Sequence, residues 1–126
     1  MTPTSLGTGP GRALIALYGL FALAAGARAT VQILTRFDEA PLAYSLSAFA
    51  ALVYLLLTVA LVRGARGLAL AALGVELAGV LVIGTASVLD PAAFPEATVW
   101  SVYGKGYLFI PLVLPLVGLY WLMRRR

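Results

Sequence analysis

Cysteine and histidine are both absent from this chain of 126 residues. Their absence removes zinc sites, haem ligation by imidazole or thiolate, iron–sulfur clusters, thiol nucleophiles, imidazole bases and disulfides. Charge is scarce as well: 11% of residues are charged against 62% hydrophobic. The mean hydropathy of +0.99 lies far above that of a soluble domain. Such a chain is a membrane protein, and four spans of about 20 residues each leave no room for a soluble domain.

The first segment, residues 1–11, holds Pro3, Pro10 and several Thr, Ser and Gly without apolar periodicity, and reads as a disordered tail. Its Gly7-Thr8-Gly9-Pro10-Gly11 run lacks both the preceding strand and the Gly-Lys-Ser/Thr ending of a phosphate loop. Four apolar stretches follow, at 13–34, 42–62, 68–89 and 107–123. At about 1.5 Å per residue the first three cover roughly 30 Å of hydrocarbon, and the fourth is short but bordered by aromatics. The expected fold is all-α: residues 12–126 form one four-transmembrane-helix bundle, with an outer interfacial loop between the third and fourth helices. Pro41 precedes the second span, where a missing N–H does no harm, and Gly64 and Gly67 flank a tight turn into an antiparallel partner. Arg12, the apolar run after it and Ala25-Gly26-Ala27 also fit a cleavable signal peptide. A positive region of one Arg is a weak signal for cleavage, so the first span is expected to stay.

With four spans the two termini and the 63–67 turn share one side, carrying Arg12, Arg63, Arg66, Arg124, Arg125 and Arg126 and no acid. The other side has Arg36 and Lys105 against Asp38, Glu39, Asp90 and Glu96. The positive-inside rule then puts both termini in the cytoplasm, with Arg63, Arg66 and Arg124–Arg126 as anchors and Tyr120-Trp121 as an interfacial belt. The pI of about 9.9 thus needs no nucleic acid. On the outer side Phe94, Trp100 and Tyr103 read as an interfacial belt in preference to a ligand lid.

Two charges fall inside spans, Arg28 and Glu76, and each is costly in hydrocarbon unless paired, hydrated or neutralised. Glu76 is ten residues from Arg66, roughly 15 Å deep, and Arg28 is roughly 24 Å from the level of Arg12. Their heights differ by about 9 Å, so a direct ion pair is open but not forced. Arg28, Gln32 and Thr35 recur at helical spacing and form a polar face, which either lines an outward-open cavity or lets Arg28 snorkel to headgroups. Pro115 frees the Pro111 carbonyl, a candidate acceptor for Arg28. Tyr54, nine residues from Arg63 and so level with Glu76, is the first candidate partner for that carboxyl. The candidate polar site is therefore Arg28, Gln32, Tyr54, Glu76 and Pro111. Small residues around it, Gly19, Ala22 and Gly26 in the first span and Gly74, Ala78 and Gly79 in the third, allow close helix approach.

Residues 37–44 (Phe-Asp-Glu-Ala-Pro-Leu-Ala-Tyr), Val75-Glu76-Leu77-Ala78-Gly79-Val80, and Thr98-Val99-Trp100-Ser101 running into Ile110-Pro111-Leu112-Val113-Leu114-Pro115 carry a likeness. They resemble small, uncharacterised four-helix integral membrane proteins of high-GC Gram-positive bacteria. That resemblance implies the fold and a bacterial inner membrane, and no activity. In size the chain also resembles small multidrug-resistance exporters, but their essential Glu lies in the first helix, whereas here the acid is Glu76 in the third.

Ser45, Ser47, Ser87 and Ser101 have no His partner, and no carboxylates are spaced to hold a metal in the membrane. The expectation is a non-enzymatic accessory, scaffold or binding subunit without metal or cofactor. Its partners are the lipid bilayer and either other membrane proteins or further copies of itself. The alternative is a homo-oligomeric proton-coupled transporter or channel for a small solute, using Glu76 and Arg28.

Overall fold

In the computed structural model, residues 9–94, 98 and 100–124 are described. Helix α1 runs Pro10–Arg36, α2 Pro41–Arg63, α3 Arg66–Leu89 and α4 Ile110–Arg124, with short 3₁₀ segments at Phe37–Glu39, Pro91–Ala93 and Ser101–Tyr107. Proline opens three of these helices in the first turn, where its missing N–H breaks no ladder: Pro10, Pro41 and Pro111. Helix α1 thus takes in Pro10 and Gly11, the last two residues of the segment expected as a tail, and residues 1–8 lie outside the described ones. The α2–α3 turn needs two residues. Gly64 takes the left-handed conformation at φ 68°, and its N–H and that of Ala65 close back onto the last carbonyls of α2.

Three helices, of 27, 23 and 24 residues, are long enough and apolar enough to cross a bilayer. The fourth expected span is not one helix. Helix α4 has 15 residues, about 22 Å of length, and the Ser101–Tyr107 segment meets it at a 99° bend, so the two make a fourth span only if the bent pair is counted as one. The bend arises where the chain leaves right-handed space: Val102, Tyr103 and Gly104, then Leu108 and Phe109, all have positive φ. Pro111 sits in the first turn of α4, and Pro115 alone is interior.

Helix α1 packs along α2, α2 along α3, and α3 against both α4 and the Ser101–Tyr107 segment; α1 and α4 touch sparsely. The close approach of α3 and α4 uses Gly118, where an added Cβ would lie 3.0 Å from Leu73. Tyr18, Tyr44, Tyr54, Leu57, Leu61, Leu73, Trp100 and Leu122 form the interior. Large apolar side chains also cover the outside: Leu23, Leu34 and Leu89 are each at least 75% exposed. In water such a surface would drive aggregation, whereas against acyl chains it is the natural solvent contact. The chain is an integral membrane protein, multi-pass and all-α.

Candidate functional site

The site is built around Glu76, in the middle of α3 and wholly buried. Its Oε1 accepts a hydrogen bond from the Tyr18 hydroxyl at 2.6 Å, and its Oε2 has no hydrogen-bond partner. Helix α1 supplies Tyr18 because residues 14, 18, 21, 25, 29 and 32 all fall on its buried face. A charge-assisted or neutral bond of this length in a dry interior ties α1 to α3 across few other contacts.

Tyr54 of α2 lies beside this pair, its ring centroid 5.9 Å from that of Tyr18. Its hydroxyl does not meet Glu76; it accepts the indole N–H of Trp100 at 2.9 Å. The expected Tyr54–Glu76 contact is thus replaced by Tyr18–Glu76 and Trp100–Tyr54. The reason is helix rotation: matching depth brings residues level, but the phase of each helix about its axis decides which one faces in. Phe21 packs edge-on to Tyr54 at 5.6 Å and tilted to Tyr107 at 5.5 Å, which extends the aromatic cluster that begins at Tyr18.

Arg28 is not part of this cluster. It is exposed, and its Nη1 donates to the Tyr107 hydroxyl at 3.3 Å. No Arg28–Glu76 ion pair forms, because Tyr18 occupies one carboxyl oxygen and the other is unpartnered. The Pro111 carbonyl is likewise not its acceptor; Pro111 is buried and closes on Gly104, where a Cβ would come within 2.8 Å of its ring. The polar face of α1 divides. Gln32 is buried with its Oε1 unpartnered, whereas Thr35 is exposed and returns its hydroxyl to the Val31 carbonyl.

Trp100, expected at an interfacial belt, is 1% exposed and lies in the core. Room for it comes from α3: a Cβ on Gly79 would lie 2.6 Å from the indole ring. Gly84 does the same for Tyr103, whose hydroxyl pairs with Thr85 at 2.8 Å. Tyr18 and Trp100 are the residues the sequence reading missed. The available signal was a pair of glycines five apart in α3, matched by two aromatics three apart in the following connection.

At the opposite end Arg66 donates to the Leu122 carbonyl at 2.7 Å, which sets the C-terminal end of α4 beside the α2–α3 turn. Arg124 bonds the Tyr120 hydroxyl and lies 5.4 Å over its ring. Arg63 is exposed, Trp121 is half-buried, and Arg125 and Arg126 lie outside the described residues.

On the outer side of α1 and α2 an open groove of about 880 Å³ runs from Ile15 to Leu34, floored by Gly19, Ala22, Gly26 and Ala51. Its two hydroxyls, Thr30 and Thr58, are spent on the Gly26 and Tyr54 carbonyls of their own helices. The groove therefore makes no polar demand on an occupant. No group of three or more acidic residues able to hold a metal occurs among the described residues.

Comparison with protein-family models, with curated proteins and with solved structures gives no match, so the chain is defined by its own architecture: a small helical protein with three or four membrane spans.

Proposed function

We propose that this protein is a non-enzymatic accessory, scaffold or binding subunit of a bacterial cytoplasmic membrane, which seats other membrane helices, or further copies of itself, on the α1–α2 face. The groove carries the reading: its small-residue floor lets a helix backbone approach closely, and its Leu20, Leu23, Leu52 and Leu55 walls supply packing without polar selection. The interior supports it too, since a buried carboxyl tied to Tyr18 on another helix behaves as an interhelical pin. The chain has no cysteine of its own, so single thiols introduced at Leu23 and Leu52 give an unambiguous test. Under this reading they cross-link to a protein chain in native membranes, and Gly26→Leu abolishes the product. Thiols that remain un-cross-linked at both positions refute it.

We further propose that both termini are cytoplasmic. Six Arg at one end against Arg36 and Lys105 at the other support this, as does the Arg66–Leu122 contact, which draws the end of α4 to the α2–α3 turn. Reporter fusions at the C-terminus test it.

One observation favours a second reading, a homo-oligomeric proton-coupled transporter or channel: the unpartnered Oε2 of Glu76. Infrared difference spectroscopy in lipid, with Glu76→Gln as blank, separates the two. A proton site reached by water titrates between about pH 5 and 8, whereas a locked pin is silent across that range.

A further inference from the structure

We infer that Trp100 together with the 3₁₀ segment Ser101–Tyr107 is a seated plug, and that its seating in a slot of α3 keeps water from Glu76. The slot is cut by two glycines. At Gly79 the indole ring lies where a Cβ would be, with three ring carbons inside 3.0 Å of that position, and at Gly84 the Tyr103 ring and backbone do the same. Connecting segments ordinarily run over the surface because their backbone groups need partners. This one enters the core, and α2 and α3 supply the partners.

The Trp100 indole N–H goes to Tyr54 at 2.9 Å, and the Val102 N–H goes to the Ser87 hydroxyl at 2.8 Å. Ser87 in turn donates to the Gly84 carbonyl at 2.8 Å, inside the slot. Tyr103 meets Thr85 at 2.8 Å. The segment holds three consecutive residues, Val102, Tyr103 and Gly104, in left-handed space. For a β-branched residue and a bulky aromatic that conformation is strained, and it persists only while the surrounding contacts hold it. Seating is therefore maintained by the slot and not by the segment's own preference.

The plug reaches the acid through a continuous path. Trp100 packs edge-on to Tyr54 at 6.4 Å, Tyr54 lies 5.9 Å from Tyr18, and Tyr18 holds Glu76. With the indole in place Glu76 Oε2 is buried without a partner, which is an unfavourable state for a carboxyl oxygen. Water entering the emptied slot supplies that partner. The unseated state thus has a favourable interaction that the seated one lacks, which is what a two-state device requires.

The inference is independent of what occupies the α1–α2 groove, and a thiol at position 76 tests it. Glu76→Cys in lipid bilayers is treated with a small water-soluble methanethiosulfonate, alone and combined with Trp100→Gly. The expected result is slow modification in the first protein and at least tenfold faster modification in the second, with helix content by circular dichroism equal in the two. Equal rates overturn the plug, and so does fast modification with Trp100 intact. Should the Trp100→Gly protein fail to fold, Tyr54→Phe with Ser87→Ala removes two polar holds and keeps the packing. The same acceleration is expected there, and its absence overturns the inference. Cross-linking of a single thiol at Leu23, in proteins that keep Glu76 and Trp100, reads the groove separately, so the two readings fail independently.

Discussion

Glu76 and Tyr18 stand 58 positions apart in the chain and meet at 2.6 Å inside it. Removing one partner strands the other. Tyr18→Phe leaves a buried carboxyl with no hydrogen bond and is expected to destabilise by about 1–3 kcal/mol in detergent unfolding, whereas Tyr18→Phe with Glu76→Leu is expected to cost less than either single change. Arg28 bonds Tyr107 and leaves Glu76 alone. A double-mutant cycle between Arg28→Leu and Glu76→Gln is accordingly expected to show a coupling within about 0.5 kcal/mol of zero, as for residues that share no partner. A coupling well above that value would restore the ion pair that the sequence left open. Arg66 is the cation with a structural task, and Arg66→Ala is expected to lose about 1.5–3 kcal/mol as the Leu122 carbonyl loses a charged donor.

Among the elements, α3 is the one whose composition is read by its neighbours on two faces. Gly79 meets Trp100, while Gly74, about one turn earlier, has open space around it. Gly79→Leu is therefore expected to destabilise by about 1–3 kcal/mol through overpacking, and Gly74→Leu to change stability little; matched thermal melts in the same detergent check the contrast. Equal effects would mean that the indole does not occupy the slot. The α2–α3 turn makes its own demand. Gly64 sits at φ 68°, and Gly64→Ala is expected to cost about 1–2 kcal/mol because a Cβ crowds the carbonyl in that conformation.

At the scale of the molecule, the three long helices and the apolar exterior were legible because a helix satisfies its own backbone locally and lipid accepts any apolar face. The α2–α3 hairpin was legible for the same local reason, a glycine in left-handed space between two apolar runs. The fourth span was read as a single helix because 107–123 is apolar, and hydropathy is blind to the positive φ angles at Leu108 and Phe109 that turn the chain by 99°. Trp100 was read as an interfacial residue because its neighbours are polar or connecting, and nothing local announces the slot that Gly79 opens for it.

The site was half legible. Glu76 stands out in any reading of α3 as an acid among apolar residues, and Gln32 and Arg28 stand out likewise on α1. Depth estimates pointed to Tyr54 as the partner of the acid, but they carry no information on helix rotation, and the hydrogen bond goes to Tyr18. What the sequence determined by itself is what is set within one helix or by the solvent: membrane residence, the three long helices and the turn between α2 and α3. What only the tertiary structure decided is which buried groups meet, because a contact such as Tyr18 to Glu76 depends on the relative phase and spacing of helices far apart in the chain, and those follow from side-chain packing across the whole bundle.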